Sequence, residues 1–148
     1  MQAEPLVLKS SWPLWERPRH FELGHVLSSL VTDALDPAAV GALAPHHAGL
    51  WECDLRDNSL VWSGGVYDIF GLPRGTSVLR EQAVALYCED SRARMERLRS
   101  YALKHRRGFT LDVEIRAAVG EHRWVRLIGL PVCAGGKAVR LQGLKVVI

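Results

Sequence analysis

Residues 109–116 have the sequence Phe-Thr-Leu-Asp-Val-Glu-Ile-Arg, in which apolar and polar side chains alternate without exception. A period of two residues predicts a β-strand that buries one face and leaves the other polar. Glycine-containing turns separate this strand from residues 124–132 and 138–148, which are predicted to be two further strands. The last forty residues therefore indicate an antiparallel sheet.

Two more strands are predicted earlier in the chain, at residues 50–55 and 60–63. Between them and the final three strands, residues 64–86 predict short helices. A long helix then begins at Glu89, with an acidic first turn, and is predicted to stop at Gly108. The order predicts an α+β fold, with a five-stranded antiparallel sheet and helices packed over one face.

The N-terminal part has a different pattern. Residues 1–20 contain three prolines and two tryptophans with no sustained period, which predicts an irregular arm. From Phe21, apolar residues recur at steps of three and four, which predicts an amphipathic helix that ends before Asp36. We therefore expect an N-terminal arm and helix over residues 1–45 and a globular domain over residues 46–148.

Composition limits the class of protein. The chain has 148 residues, 48% of them hydrophobic and 24% charged, which is typical of one soluble globular domain. No apolar run reaches the roughly 20 residues of a membrane-spanning helix, and no secretory signal pattern is present. Three widely separated cysteines fit a reducing compartment. We expect a cytoplasmic protein without a membrane partner.

The net charge of +3 comes from basic residues crowded between residues 92 and 107. On a helix, Arg97 and Lys104 lie opposite the apolar stripe, while Arg99 lies elsewhere and Glu96 interrupts the run. This pattern is typical of a solvated helix rather than of a surface that tracks phosphates. We therefore expect no nucleic-acid partner.

The ordered motifs resemble PAS domains, the sensory modules found in bacterial sensor kinases and cyclic-dinucleotide signalling proteins. The motifs are Gly49–Leu55, Val61-Trp62-Ser63, Tyr67–Leu72, Gly120–Arg126 and Leu141-Gln142-Gly143. The resemblance covers about residues 46–148. It departs at Tyr87-Cys88, where the family commonly has His-Pro, and at Val147-Ile148, where the aspartate of a closing Asp-Ile-Thr is absent.

The resemblance implies a PAS fold with a pocket between the helices and the inner face of the sheet. The candidate pocket residues are Trp51, Cys53, Phe70, Val84, Leu98, Val113, Ile115, Val125 and Leu127. Such a pocket could hold an unknown small ligand of apolar or aromatic character. The same side chains could equally close-pack into a solid core.

Neither of two familiar cofactors fits the residues. A flavin photosensor of the light-oxygen-voltage type would carry its reactive cysteine in an Asn-Cys-Arg motif, whereas Cys88 lies between Tyr87 and Glu89. A haem sensor needs an inward imidazole, but His105 lies in the solvated last turn of the long helix. His46 and His47 are adjacent in the sequence, which is a poor arrangement for two ligands of one zinc ion. No cofactor and no metal site are predicted.

An enzyme is the alternative reading, because small α+β folds can house isomerases or hydratases that use a pocket carboxylate. Glu52, Asp54, Asp112 and Glu114 all fall on the polar phase of their strands. Asp68 lies in the short helical region and is explained by the family motif. We therefore predict a non-catalytic protein with no catalytic residue.

The strand at residues 124–132 is apolar on both faces, so its outer face needs a cover. The N-terminal helix could cover its own sheet, the sheet of a second subunit, or both, and we expect a homodimer. The predicted interface residues are Leu23, Val26, Leu27, Leu30, Val31, Trp124, Ile128 and Leu130. The resemblance implies a signalling partner, such as a histidine kinase or a cyclase, in the same chain or in a separate one.

Overall fold

In a computed structural model of the protein, residues 10–20 and 43–148 are described. The helices of these ranges are α1 (Arg17–His20), α2 (Gly64–Phe70), α3 (Arg80–Ala85) and α4 (Glu89–His105), with single 3-10 turns at Leu14–Glu16 and Ala44–His46. The strands are β1 (Ser11–Pro13), β2 (Ala48–Asp54), β3 (Ser59–Trp62), β4 (Arg107–Arg116), β5 (His122–Ala134) and β6 (Lys137–Val147). The α+β fold is confirmed.

The described strands form one antiparallel sheet in the order β1-β4-β5-β6-β2-β3. The prediction of five strands is wrong by one, because residues 11–13 of the arm pair with the free edge of β4. A strand edge presents unpaired N–H and C=O groups that an extended segment can use. Arg107 strengthens this pairing by donating from Nε to Ser11 Oγ at 3.0 Å and from Nη2 to the Ser11 carbonyl oxygen at 3.2 Å.

The long helix ends earlier than predicted. Arg106, not Gly108, adopts the left-handed conformation that ends α4, with φ of 53°. Gly108 lies inside β4, directly opposite Trp12 of β1. A Cβ atom at position 108 would overlap the Trp12 ring. This glycine is therefore required for the indole to lie flat on the sheet rather than for ending a helix.

The sheet separates two hydrophobic clusters. The inner cluster lies between the sheet and helices α2, α3 and α4, and includes Phe70, Leu98 and Ile115. The outer cluster lies on the opposite face, and its buried members are Trp12, Leu43, Ala48, Leu50, Ile128, Leu130 and Leu144. Strand β5 contributes to both clusters, which agrees with its predicted apolar character on two faces.

The predicted amphipathic helix that follows Phe21 lies outside the described residues, as do its apolar residues. The boundary between residues 45 and 46 likewise stays a prediction. Among the residues that are described, no helix combines the length and the apolar composition needed to cross a membrane.

Candidate ligand cavity in the domain core

A cavity of about 50 Å³ lies inside the inner cluster, between the sheet and helices α3 and α4. By comparison with the roughly 10–15 Å³ that a buried water needs, it has room for a few water molecules or a ligand of a few heavy atoms. Aromatic rings make up much of its wall, since Trp51, Trp62, Phe70, Tyr87 and Phe109 all line it. The cavity is therefore mainly apolar, with a small number of polar groups.

The predicted pocket residues divide into two groups. Those that line the cavity are Trp51, Cys53, Phe70, Val84 and Leu127. Those that pack in the inner cluster without lining the cavity are Leu98, Val113, Ile115 and Val125. The sequence reasoning missed four polar lining residues, which are Arg80, Tyr87, Arg99 and Lys145.

Lys145 is the most unusual of these polar residues. It lies on β6 and is 6% exposed, with Nζ 4.3 Å from the ring centroid of Trp51 and 5.7 Å from that of Phe70. Within the described part of the chain, its ammonium group makes these ring contacts but no hydrogen bond or ion pair. Burial lowers the pKa of Lys145 to about 7, an effect that nearby Cys53 partly opposes.

The alternation of β6 explains why a lysine points inward. Leu141 and Val147 belong to the inner cluster, and Leu144 and Val146 belong to the outer one. Because side chains alternate along a strand, Lys145 shares the inward phase of Leu141. The sequence does not reveal this, because Leu144 and Val146 make the other phase of the strand apolar as well, and that phase is also buried.

Two arginines add further positive charge beside Lys145. Arg99 of α4 is half-buried, and burial lowers the pKa of its guanidinium. Arg80 of α3 forms an ion pair with Glu96 of α4. Burial also raises the pKa of the Cys53 thiol, with Arg99 opposing that shift. The polar part of the wall thus carries three basic side chains, of which one has a carboxylate partner.

Two more polar groups line the cavity, and one of them lacks an acceptor. The indole Nε1 of Trp51 is buried and has no hydrogen-bond partner in the described structure. Tyr87 is buried, and burial raises the pKa of its phenol, so the hydroxyl keeps its proton at neutral pH. A buried donor without an acceptor is uncommon and calls for a structural or functional explanation.

A surface groove of about 380 Å³ adjoins the cavity. Leu60, Trp62 and Arg80 line both spaces, so they form the boundary between cavity and solvent. The far wall of the groove is the loop between α2 and α3, held in place by a hydrogen bond from Tyr67 Oη to the Thr76 carbonyl oxygen at 2.8 Å. The groove and the cavity thus share part of one wall.

The outer face retains an exposed apolar patch formed by two residues. Trp124 is 48% exposed and Ile148 is 54% exposed, and the Ile148 amide donates to the Trp124 carbonyl oxygen at 3.0 Å. Ile128 and Leu130 are buried in the outer cluster. The remaining predicted interface residues precede residue 43 and lie outside the described ranges.

The carboxylates weighed for catalysis lie away from the cavity. Asp54 pairs with Arg56, whose hydrogen bonds lower the pKa of the carboxyl to about 2. Asp112 pairs with Arg126 at 2.9 Å on the solvent side of β4. Within the described ranges, no carboxylate lines the cavity. The pocket carboxylate weighed for an isomerase or hydratase is therefore absent from the described part of the wall.

Glu114 belongs to a surface cluster with Cys88 and His122. The Nδ1 atom of His122 lies 3.7 Å from Cys88 Sγ and 3.2 Å from Glu114 Oε2. These ligand atoms are close enough to share a metal ion. They also serve as hydrogen-bond partners for one another, and that role accounts for the spacing without an ion.

Comparison with known proteins identifies the family. Residues 59–144 match the sequence model of the PAS fold. The chain belongs to the PAS family. Both the resemblance stated from the motifs and the fold class predicted with it are confirmed. No curated protein has a significant match to the sequence.

Solved PAS structures share the fold at low sequence identity. A sensory box histidine kinase/response regulator from Burkholderia thailandensis is 22% identical, with a TM-score of 0.61 over 72% of this chain and 81% of that one. The N-terminal domain of a diguanylate cyclase with a PAS/PAC sensor from Marinobacter aquaeolei is 14% identical, with a TM-score of 0.62 over 68% and 94% of the two chains. A domain of the putative light and redox sensing histidine kinase from Haloarcula marismortui is 23% identical, with a TM-score of 0.58 over 68% of this chain and 89% of that one.

Proposed function

We propose that this PAS domain is a non-catalytic sensory and protein-interaction module of bacterial signal transduction that binds a small ligand in its core cavity. The observation that carries the proposal is the buried, unpaired ammonium group of Lys145 in the cavity wall. The alternative is that the inner residues form only a solid core. A solid core would favour an apolar side chain at this position, because burying an unpaired charge is costly.

The free energies of burial and of cation–π contact favour the ligand-binding interpretation. The effective penalty for burying an ammonium group is several kcal/mol even after relaxation. A cation–π contact such as that of Lys145 with Trp51 returns about 0.5–2 kcal/mol, so a deficit remains. A bound ligand that pairs with the ammonium group would offset the deficit. Binding and stability would then be coupled, which is what a sensor requires.

The strands provide a physical connection between the cavity and the outer face. Lys145 faces the cavity, while its neighbours Leu144 and Val146 pack in the outer cluster with Trp12 and Leu43. A displacement of β6 on ligand binding would therefore act on both faces. We propose that the predicted N-terminal helix, which precedes Leu43 in the chain, receives this change and passes it to a partner.

We further propose that the protein is cytoplasmic and dimerises through the N-terminal helix and the outer sheet face. Trp124 supports this proposal, because a half-exposed indole on an apolar strand is typical of an interface residue. The partner would be a kinase or cyclase in the same chain or a separate one. The names of the structural relatives, a histidine kinase and a diguanylate cyclase, support this choice.

Native mass spectrometry with absorbance spectroscopy tests ligand binding. We expect purified protein either to carry a small molecule or to acquire one from a compound library, with reduced hydrogen exchange in β6 and β1. Protein that is entirely ligand-free, and whose melting temperature and exchange respond to no compound, would overturn the sensory proposal.

Light scattering on matched full-length variants tests dimerisation. Leu27→Glu and Leu30→Glu place a charge in the predicted apolar stripe, and we expect either to convert a dimer into a monomer. Ser29→Glu places the same charge outside that stripe and should leave the dimer intact. A monomeric wild-type protein, or a dimer that tolerates the stripe variants, would overturn this part of the proposal.

A further inference from the structure

We infer that the cavity binds a short organic carboxylate, with the carboxylate group held by Lys145 and the indole N–H of Trp51. This inference rests on the proposed ligand-binding function and names the chemical class of the ligand. Both donors lie at the same part of the wall, because Nζ of Lys145 is 4.3 Å from the centroid of the Trp51 ring.

The basic side chains of the wall determine the charge that a ligand should carry. Lys145, Arg99 and Arg80 line the cavity, whereas Glu96, which pairs with Arg80, is not among the lining residues. A cationic ligand would meet the ammonium group and Arg99 without a compensating carboxylate. A neutral apolar ligand would leave the ammonium group unpaired, as it is in the free protein. An anion is the class that removes the imbalance.

The polar side chains that line the cavity offer more hydrogen-bond donors than acceptors. Lys145, Arg99 and Trp51 Nε1 can only donate hydrogen bonds, and the Trp51 donor has no partner. Arg80 and the indole of Trp62 also line the cavity and can likewise only donate. Tyr87 and Cys53 line it too, and each offers at best a single weak or shared acceptor. A carboxylate brings two oxygen atoms that only accept, so it complements this set.

The volume of the cavity and its apolar wall limit the rest of the ligand. The cavity of about 50 Å³ suits a group of few heavy atoms. The rings of Trp62 and Phe70 stack with centroids 5.0 Å apart beside it and supply an apolar wall for a short hydrocarbon part. Met95 also lines the cavity, and a methionine side chain can adjust to a somewhat larger ligand. Acetate, propionate and benzoate therefore form a graded series of probes.

Isothermal titration calorimetry on the full-length protein at about pH 6 tests the inference. Each carboxylate is compared with its amide, which has nearly the same shape and no charge, and sodium chloride keeps the ionic strength constant. We expect a carboxylate to bind roughly tenfold to a hundredfold more tightly than its amide, which is the value of hydrogen bonds to a charged group. We expect Lys145→Met to remove this preference.

Two further variants separate binding from folding. Trp51→Phe keeps an aromatic ring and removes the N–H donor, so we expect several-fold weaker carboxylate binding with retained fold. Lys137→Met changes an exposed lysine on the same strand and should bind like the wild type. If Lys145→Met fails to fold, Lys145→Gln and Trp51→Phe carry the test.

The outcomes separate this inference from the proposed function. Amides that bind as tightly as carboxylates, or carboxylate binding that Lys145→Met and Lys145→Gln preserve, would overturn the anionic class and leave a ligand sensor standing. The same holds if native mass spectrometry finds a neutral molecule in the cavity. If no probe binds and the cavity is empty in native mass spectrometry and unresponsive to the compound library, the inference and the sensory proposal both fail.

Discussion

The two faces of the sheet are built from the same strands but differ in how they are closed. The inner face is covered by helices α2, α3 and α4, and it encloses a cavity with a basic side chain in its wall. The outer face is covered in part by Trp12 and Leu43, which both precede the predicted domain of residues 46–148. Trp124 on the same face remains half-exposed. The difference is what the proposed function would require, with a small ligand on the inner face and further protein on the outer one.

The largest expected effect concerns the inner face. Phe70 is 1% exposed and stacks on Trp62, so Phe70→Ala should lower the free energy of unfolding by about 3–5 kcal/mol. Urea denaturation followed by circular dichroism measures this loss. A loss below about 1 kcal/mol would mean that the inner cluster is not the main source of stability.

The second-largest loss of stability is expected from substitutions on the outer face. Trp12 covers Gly108, donates from Nε1 to Thr110 Oγ1 at 3.1 Å and stacks on His20. We expect Trp12→Ala to cost about 3 kcal/mol, the lower end of the range for a buried tryptophan, because β1 is a short edge strand. Thr110→Val removes the hydrogen bond alone and should cost about 1 kcal/mol. Equal losses in the two variants would show that packing on the outer face contributes little.

The third effect is a dependence on pH that comes from the inner face alone. The pKa of Lys145 is lowered to about 7 in the folded protein from its usual 10.5. Between these values the unfolded chain binds the extra proton, so the free energy of unfolding rises with pH, by up to about 1.4 kcal/mol per unit. Below about pH 7 lysine is charged in both states and the full cost of its burial is present.

Comparison with Lys145→Met isolates this dependence. Between pH 7 and 9 we expect wild-type stability to gain about 2 kcal/mol relative to the variant, measured by urea denaturation. Cys53, Tyr87, Arg80 and Arg99 also face this lysine, and the difference between the two proteins cancels most of their contribution. A difference independent of pH would mean that Lys145 is not desolvated in solution.

The smallest expected effect on stability is at the exposed end of the outer face. Trp124 is 48% exposed, so Trp124→Ala should change the free energy of unfolding by no more than about 0.5 kcal/mol. We expect the same variant to weaken the proposed dimer, measured by sedimentation velocity. A large loss of monomer stability would show that the indole is part of the fold rather than of an interface.

Most of the sheet could be predicted because alternation is a local signal. The period of two located β4 and showed that β5 is apolar on both faces, and the ordered family motifs supplied the architecture. Strand β1 could not be predicted, because three residues carry no period and their pairing with residues 107–109 depends on distant sequence. The end of α4 at Arg106 was missed because a non-glycine residue took the left-handed conformation.

The candidate site was predicted less completely than the fold. Apolar lining residues such as Trp51 and Phe70 follow from their strand phase or motif. Lys145 was missed because a lysine is usually assigned to the surface, and both phases of its strand contain apolar residues. The shortage of acceptors around Trp51 Nε1 depends on side-chain positions and could not be inferred from sequence.

The short strand β1 also has a consequence for solubility. Without it, residues 107–109 at the start of β4 would present an unpaired edge to other molecules, and such an edge is a template for aggregation. Pro13 lacks an N–H group, so β1 is a poor template for another strand. Residues 11–13 thus protect this part of the β4 edge from pairing with another strand, whereas β3 forms the opposite edge of the described sheet.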